Sequence, residues 1–248
     1  MIRLHRAALP ADTVSRMDAY TVAIARATER VVKARELWGH TTVRRNIRPD
    51  LIAALRGMAP GYELCMYCGN NEAMDIDHFE PLSLAPQRTF DWQNHLYACS
   101  MCNSHHKRNS FPYDENGRPL LIDPTVQEPL EHLHLVLGAG EYTHRTPQGE
   151  ASIKVFGLNR RSLVQGRLLA YSTARDSLTL WRIHTDKGQY ENARVTVRTA
   201  WNRPLADVLA SMFHQSVLPV AAALFDGEDD VLGLLRDPEL RARFLDQE

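Results

Sequence analysis

Forty-four residues decide how this chain is read: Cys65-Met66-Tyr67-Cys68-Gly69, then Ala73-Met74-Asp75-Ile76-Asp77-His78-Phe79, then Asn94-His95-Leu96-Tyr97-Ala98-Cys99-Ser100-Met101-Cys102-Asn103, closing at Arg108. The stretch holds two Cys-x-x-Cys pairs, Cys65/Cys68 and Cys99/Cys102, with 30 residues between them. Such a turn lets two thiolates point at one ion, and two turns complete a tetrahedral sulfur site for structural Zn²⁺. Gly69 supplies the left-handed backbone that a knuckle often needs. Disulfides are the alternative. A thioredoxin-like redox pair fits less well, because two pairs occur and neither sits in a strand-to-helix pattern.

The interval between the pairs has its own pattern. Ala73 to Phe79 alternates as a strand should, with Asp77 and His78 at its end. Leu96-Tyr97-Ala98 is short and apolar and can pair back as a second strand. Asn103 to Asn109 is polar and compatible with a helix. The order is therefore strand, loop, strand, helix, with a metal clamping the ends.

Taken together, Cys65-x-x-Cys68-Gly69, Asp77-His78-Phe79-x-Pro81-x-Ser83 and Asn94-x-x-x-Ala98-Cys99-x-x-Cys102-Asn103 resemble the HNH nuclease family, in its four-cysteine zinc variety. The resemblance implies a ββα-metal fold. It implies His78 as the general base, Asp77 and Asn103 as ligands of a catalytic cation, and Asn94 as the brace of the inter-strand loop. Lys107 resembles the family's downstream lysine, but stands one residue further on than in many relatives. An imidazole of ordinary pKa near 6.5 can take a proton from water at neutral pH. Oxygen ligands favour Mg²⁺ or Mn²⁺ over zinc at the second site. The plainer readings are that Asp77 caps a turn, that Asn94 is structural, and that His95, His105 and His106 pack or face solvent. His106, three residues past Asn103, is also kept as an auxiliary metal ligand.

Outward from this module the chain divides into four segments: 1–60, helical; 61–112, the zinc and ββα module; 113–158, a connector and small β-meander; 159–248, helical. The class is α+β. A long helix is expected from Asp12, as N-cap, to Trp38, and a second from Pro49 to Met58. Residues 112–130 hold four prolines and an Asn-Gly turn and read as extended. Three alternating runs, His132–Leu137, Glu141–Arg145 and Ser152–Phe156, predict the meander. Asn159 is expected to cap a helix to His184, with Leu163, Leu168, Tyr171, Leu178 and Trp181 on one side. Helices near 187–201, 204–215 and 216–225 follow, then an acidic loop, Asp226 to Asp230, and a short terminal helix.

The 248 residues carry a net charge of −1 and 44% hydrophobic residues, as a soluble globular protein does. No apolar run is long enough for a membrane span, and the basic first ten residues lack a signal peptide's apolar core. A cytoplasmic setting with reduced thiols is expected. The charge is unevenly spread. Residues 1–60 carry eleven Lys/Arg against five Asp/Glu, and residues 151–204 carry ten against three, whereas residues 61–110 carry three against six. Basic flanks around an acidic centre suit a polyanion held over cations, although solvated helix faces give the same balance. Lys107, Arg108, Arg160, Arg161 and Arg167 are the candidate phosphate contacts, so the expected partner is DNA.

A second resemblance covers the flanks. A basic N-terminal helix with a tryptophan, Asp91-Trp92-x-Asn94, Ile122-Asp123-Pro124, and Gly157-Leu158-Asn159-Arg160 opening a helix with Arg167 are similar to the HNH nucleases of bacterial anti-phage systems, the Septu and retron-associated type. That likeness implies a separate ATPase subunit as partner, since this chain has no Gly-x-x-x-x-Gly-Lys-Ser/Thr loop. Two other readings stay open: a non-cleaving zinc scaffold that binds nucleic acid or protein, and a stand-alone restriction or mobile-element nuclease.

Overall fold

The computed structural model describes residues 1–245. Four helices come first: α1 (Ala11–Arg26), α2 (Arg30–Gly39), α3 (Thr41–Asn46) and α4 (Arg48–Met58). The long helix expected from Asp12 to Trp38 is broken at Ala27, whose backbone is extended. The break folds the apolar face back on itself. Met17 and Ile24 of α1 join Ala34 and Leu37 of α2, with Val43, Ile47, Leu51 and Phe90, in one small core. A straight helix would leave one of those two faces in water. Asp12 is not the cap but lies in the first turn, where a carboxylate complements the helix dipole. Pro49 opens α4 as expected.

The cysteine module follows. β1 (Ala73–His78) pairs antiparallel with β2 (His95–Cys99), placing Ile76 opposite Tyr97, Asp77 opposite Leu96 and His78 opposite His95. The register slips between Ala73 and Asp75. β2 runs directly into a π-helix, Met101–Lys107. Ile76 and Trp92 pack on both the small N-terminal core and the main core, so the module is wedged between the two.

The expected meander is a two-stranded hairpin, β3 (Leu133–Val136) with β4 (Glu141–His144), preceded by one helical turn, α5 (Pro129–His132). The third run, Ser152–Phe156, is not a strand. It lies largely in α6 (Pro147–Val155). Thr146 caps that helix by accepting from Gly149 N–H, and Pro147 occupies its first turn, so Pro147-Gln148-Gly149 starts a helix instead of turning a hairpin. A five-residue alternating run is too short to separate the two periods. Gly149 is also where α6 meets the hairpin: a Cβ there would stand 2.1 Å from the His132 carbonyl.

The remaining helices are α7 (Arg161–Asp186), α8 (Tyr190–Trp201), α9 (Asp207–Gln215), α10 (Ala221–Leu224), α11 (Asp229–Arg236) and α12 (Pro238–Leu245). Asn159 does not cap α7. Its amide instead exchanges two 2.8 Å hydrogen bonds with the Tyr142 backbone, fastening the hairpin to the helix start. The buried stripe of α7 is Leu163, Arg167, Ala174, Leu178 and Trp181, whereas Leu168 faces outward. Arg167 thus occupies a core position. Its guanidinium lies 3.5 Å from the buried Asp207, which also accepts from Tyr142 Oη at 2.6 Å and from the Met1 ammonium at 2.9 Å. The expected contact between Arg167 and a phosphate backbone is corrected by that burial. In the 217–225 stretch, Ala221 and Phe225 are core, while Val217 and Val220 are exposed.

Candidate active site

The first centre is sulfur. Gly69, at φ +75°, lets its N–H return to the Cys65 carbonyl at 2.8 Å and close the first knuckle. Met66 N–H donates to the Tyr97 carbonyl, tying that knuckle to β2. The second knuckle forms where β2 turns into the π-helix, with Cys102 N–H directed at Cys99 Sγ. All four thiols are free and buried, and their sulfurs lie within 4.8 Å of one another. Cys68 and Cys99 are 3.8 Å apart, which equals the edge of about 3.8 Å in a tetrahedron with zinc–sulfur bonds of about 2.3 Å. The donor set fits zinc.

Arg160 lies over this centre. Its Nη2 is 3.3 Å from Cys68 Sγ and its Nη1 is 3.6 Å from Cys102 Sγ. Hydrogen bonding from Cys102 and the other thiols, aided by the Arg160 charge, holds the Cys68 thiol well below the ordinary range. Four thiolates around a divalent cation leave an excess of negative charge, which a guanidinium in hydrogen-bond range offsets. Arg160 was expected to track a phosphate backbone. Its guanidinium is instead committed to sulfur.

The second centre is the cleft beside His78. His78 Nε2 lies 3.1 Å from the Thr89 carbonyl, and His95 Nε2 lies 3.0 Å from the same oxygen. A carbonyl only accepts, so both imidazoles carry their proton on Nε2 and His78 Nδ1 keeps its lone pair. Trp38 from α2 stands edge-on to the His78 ring at 4.6 Å and stacks on the His95 ring at 5.4 Å. Burial lowers the His78 pKa to about 4, so the ring is neutral at pH 7. Asn94, fully buried, donates to the Glu80 and Arg88 carbonyls at 3.0 and 3.1 Å and accepts from Glu80 N–H at 2.8 Å. Those three bonds hold the loop that presents the Thr89 carbonyl.

Asp77 and Asn103 have different hydrogen-bond partners. Asp77 is only 4% exposed and spends both oxygens within the core. Oδ1 accepts from Lys107 Nζ at 3.0 Å and Oδ2 from Tyr67 Oη at 2.5 Å. Lys107 Nζ also donates to the His78 carbonyl at 2.7 Å. Lys107 is therefore buried, and its expected contact with nucleic acid is corrected. The π-helix offers a geometric reason: its wider turn takes up the extra residue between Asn103 and Lys107. Asn103 Nδ2 lies instead 3.5 Å from Asp75 Oδ2. Asp75, two residues before Asp77 on the same strand, was missed. Its signal was strand alternation, which puts residues 75 and 77 on one side.

Asp75, Asn103 and Ser104 line a cavity of about 280 Å³ together with Trp38 and Arg48. A half-buried carboxylate and an amide are hard-oxygen donors, and an amide turned about its axis presents Oδ1, so the pair fits Mg²⁺ or Mn²⁺. Asp77 fits such an ion only when Lys107 Nζ withdraws. His106 is exposed, its ring lies against Gly157, and it joins no cluster of His, Cys, Asp and Glu ligands among the described residues. Arg108 and Arg161 are exposed, Arg108 closing the π-helix at φ +50°.

Comparison with known proteins adds the family. Residues 65–109 match the HNH endonuclease family model. Two relatives are each a Septu protein PtuB. The one from Bacillus mycoides (strain KBAB4) is 37% identical over 89 residues, 31% of this chain and 30% of its own length. The one from Bacillus thuringiensis is 30% identical over 76 residues, 29% of this chain and 28% of its own length. The likeness thus spans under a third of either relative. Among the described residues, no helix is long and apolar enough to cross a membrane. The two sulfur knuckles, the β1–β2 pair and the helix that follows are the part of the chain, residues 65–109, that is similar to the HNH endonuclease family.

Proposed function

We propose that this protein is a metal-dependent endonuclease that hydrolyses phosphodiester bonds in DNA, acting in prokaryotic anti-phage defence beside a separate ATPase subunit. The observation that carries the reading is His78: its Nε2 is fixed on the Thr89 carbonyl, and its neutral Nδ1 is left to accept a proton. In this reading His78 Nδ1 takes a proton from water as the oxygen attacks phosphorus, and the 3′ oxygen leaves. Asp75 and Asn103 would hold Mg²⁺ or Mn²⁺, with Asp77 available on release of Lys107. Such a cation supplies charge neutralisation on the phosphoryl oxygens and on the leaving oxygen. Asn94 acts through the loop, keeping the Thr89 carbonyl under His78. The sulfur centre, with zinc, anchors the strand ends. The likeness to the Septu protein PtuB supports the defence role; the ATPase partner is the expectation carried by the resemblance of the flanking motifs.

The test is incubation of the purified chain with plasmid and single-stranded DNA, with Mn²⁺ or Mg²⁺ and with chelator. Cleavage should need the cation. The His78→Ala variant should lose about 10²–10⁴ in rate while keeping its fold. A variant that cuts as fast as the parent removes His78 from the mechanism.

A further inference from the structure

Arg48 is an arginine without a counter-charge. It opens α4, outside the HNH module, and no carboxylate of the described residues lies within 4.0 Å of it. Its guanidinium sits 4.5 Å above the Trp38 ring, the same ring that stands edge-on to His78. Nη2 donates to the Trp38 carbonyl at 2.9 Å, and Nε is buried with no hydrogen-bond partner. Among the described residues it is the one cationic side chain lining the 280 Å³ cavity that Asp75 and Asn103 share.

Each fact narrows the role. A half-buried guanidinium has given up part of its hydration, and its donors call for an acceptor. Arg160 has sulfur in reach and Arg167 has the Asp207 carboxylate at 3.5 Å, although Arg167 Nε and Nη2 also lack a hydrogen-bond partner; for Arg48 no carboxylate or thiolate of the described residues stands in that place. Arg48 has one backbone carbonyl and an aromatic face. The missing partner is an anion that arrives through the cavity. Its planar fork suits phosphate oxygens, and the Trp38 ring beneath keeps it from swinging away.

We propose that Arg48 is a substrate-binding residue that grips a DNA phosphate next to His78, so that the active site is completed by a helix outside the HNH module. The proposal rests on the nuclease reading above. In that arrangement the phosphate lies between Arg48 on one wall and Asp75 with Asn103 on the other. Trp38 fixes the general base and the phosphate clamp with a single ring.

The experiment compares full-length Arg48→Ala, Arg48→Lys, His78→Ala and the parent. Binding to a short DNA duplex is titrated over salt without divalent cation, and single-turnover cleavage is measured with Mn²⁺. Arg48→Ala should lower the salt slope by about 0.9, the value of one lost phosphate contact. It should also cut at a rate reduced about 10²-fold or more, as when one oxyanion donor is removed. Low millimolar guanidinium ion should restore part of that rate to Arg48→Ala and none to His78→Ala. Arg48→Lys should keep the slope and lose rate, because the charge stays while the fork is gone. Unchanged slope and rate in Arg48→Ala overturn the proposal. So does a rate loss that guanidinium does not rescue and that follows a lowered thermal midpoint, since the role is then support of Trp38. A parent that cuts no DNA, indistinguishable from His78→Ala, overturns the nuclease reading instead, and the salt slope still decides Arg48.

Discussion

The sulfur centre and the cleft beside His78 each receive an arginine from outside residues 65–109, and the two arginines are in opposite states. Arg160 reaches in from the start of α7 and meets sulfur at 3.3 and 3.6 Å. Arg48 reaches in from the start of α4 and meets no anion of the described residues. The sulfur centre is closed: four buried donors of one kind, with the charge offset by a neighbour. The cleft is open: Asp75 and Asn103 line it with Arg48, a cation without its partner, and Trp38 joins it to the neutral imidazole of His78. A metal that holds a fold together is surrounded by groups that are already satisfied. A site that meets a substrate keeps some groups unsatisfied until the substrate comes.

The largest effect belongs to the closed centre. Replacing Cys99 by Ser should unfold the module, because a preformed sulfur site is absent from the unfolded chain. Structural zinc contributes on the order of 10 kcal/mol or more in small metal-held domains. Elemental analysis should give one zinc per chain in the parent, and circular dichroism should show the variant's loss of structure. Arg160→Gln should fold and bind zinc but release it faster to a chelator, with a loss of affinity of about 10-fold or more. Folded parent protein without zinc breaks the comparison at its first term. Unchanged release from Arg160→Gln removes Arg160 from it.

The sulfur centre was legible in the sequence because its chemistry is written in spacing. Four cysteines in two short turns leave little else for the chain to build. The β1–β2 pair was legible for the same reason, since alternation and a short apolar return fix it. What was not legible is which polar group faces which. Arg167 and Lys107 were read as surface cations from their charge, yet both are buried against carboxylates. For Arg167 a signal existed: it lies four residues after Leu163 and seven before Ala174, on the buried stripe of α7. Lys107 had no such signal, because its burial depends on π-helical geometry that no simple periodicity announces. Arg48 and Thr89 were invisible for another reason. Arg48 comes from α4, ahead of the module, and Thr89 from the loop between β1 and β2, and only folding brings them beside His78.

The two carboxylates of β1 give a second, smaller test of open against closed. Asp77 is closed, held by Lys107 and Tyr67, whereas Asp75 faces the cleft. Lys107→Met leaves the Asp77 charge buried and unpaired. Removing one partner of a buried pair costs about 3–5 kcal/mol, so the denaturation midpoint should fall steeply. Asp75→Asn should leave that midpoint nearly unchanged and weaken the Mn²⁺ dependence of cleavage. The assignment reverses if Asp75→Asn keeps its Mn²⁺ dependence while Asp77→Asn loses it and stays folded. Asp77 would then be the cation ligand, and Lys107 a side chain that leaves when the cation binds.

The smallest effect is a pH dependence, and it separates the histidine pair from the sulfur centre. Burial, reinforced by the neighbouring His78, holds the His95 pKa well below its ordinary value near 6.5. Below about pH 6.5 the unfolded chain therefore binds a proton at His95 that the folded chain refuses. Stability is fully present above that pH and falls as the pH drops, by up to about 1.4 kcal/mol per unit for this one group. Zinc release in acid also lowers stability, so the parent's curve alone does not isolate the effect. His95→Asn retains all four cysteines and loses only the imidazole. Its absolute stability should be lower, because a buried ring stacked on Trp38 is gone. Its loss between pH 6.5 and pH 5 should nevertheless be shallower than the parent's by about 1–2 kcal/mol in denaturant midpoints converted to free energy. Parallel curves for parent and variant would mean that His95 takes up a proton in the folded state. A charged His95 could not share the Thr89 carbonyl with a neutral His78 at the same cost, and the tautomer assigned to His78 would have to be revised.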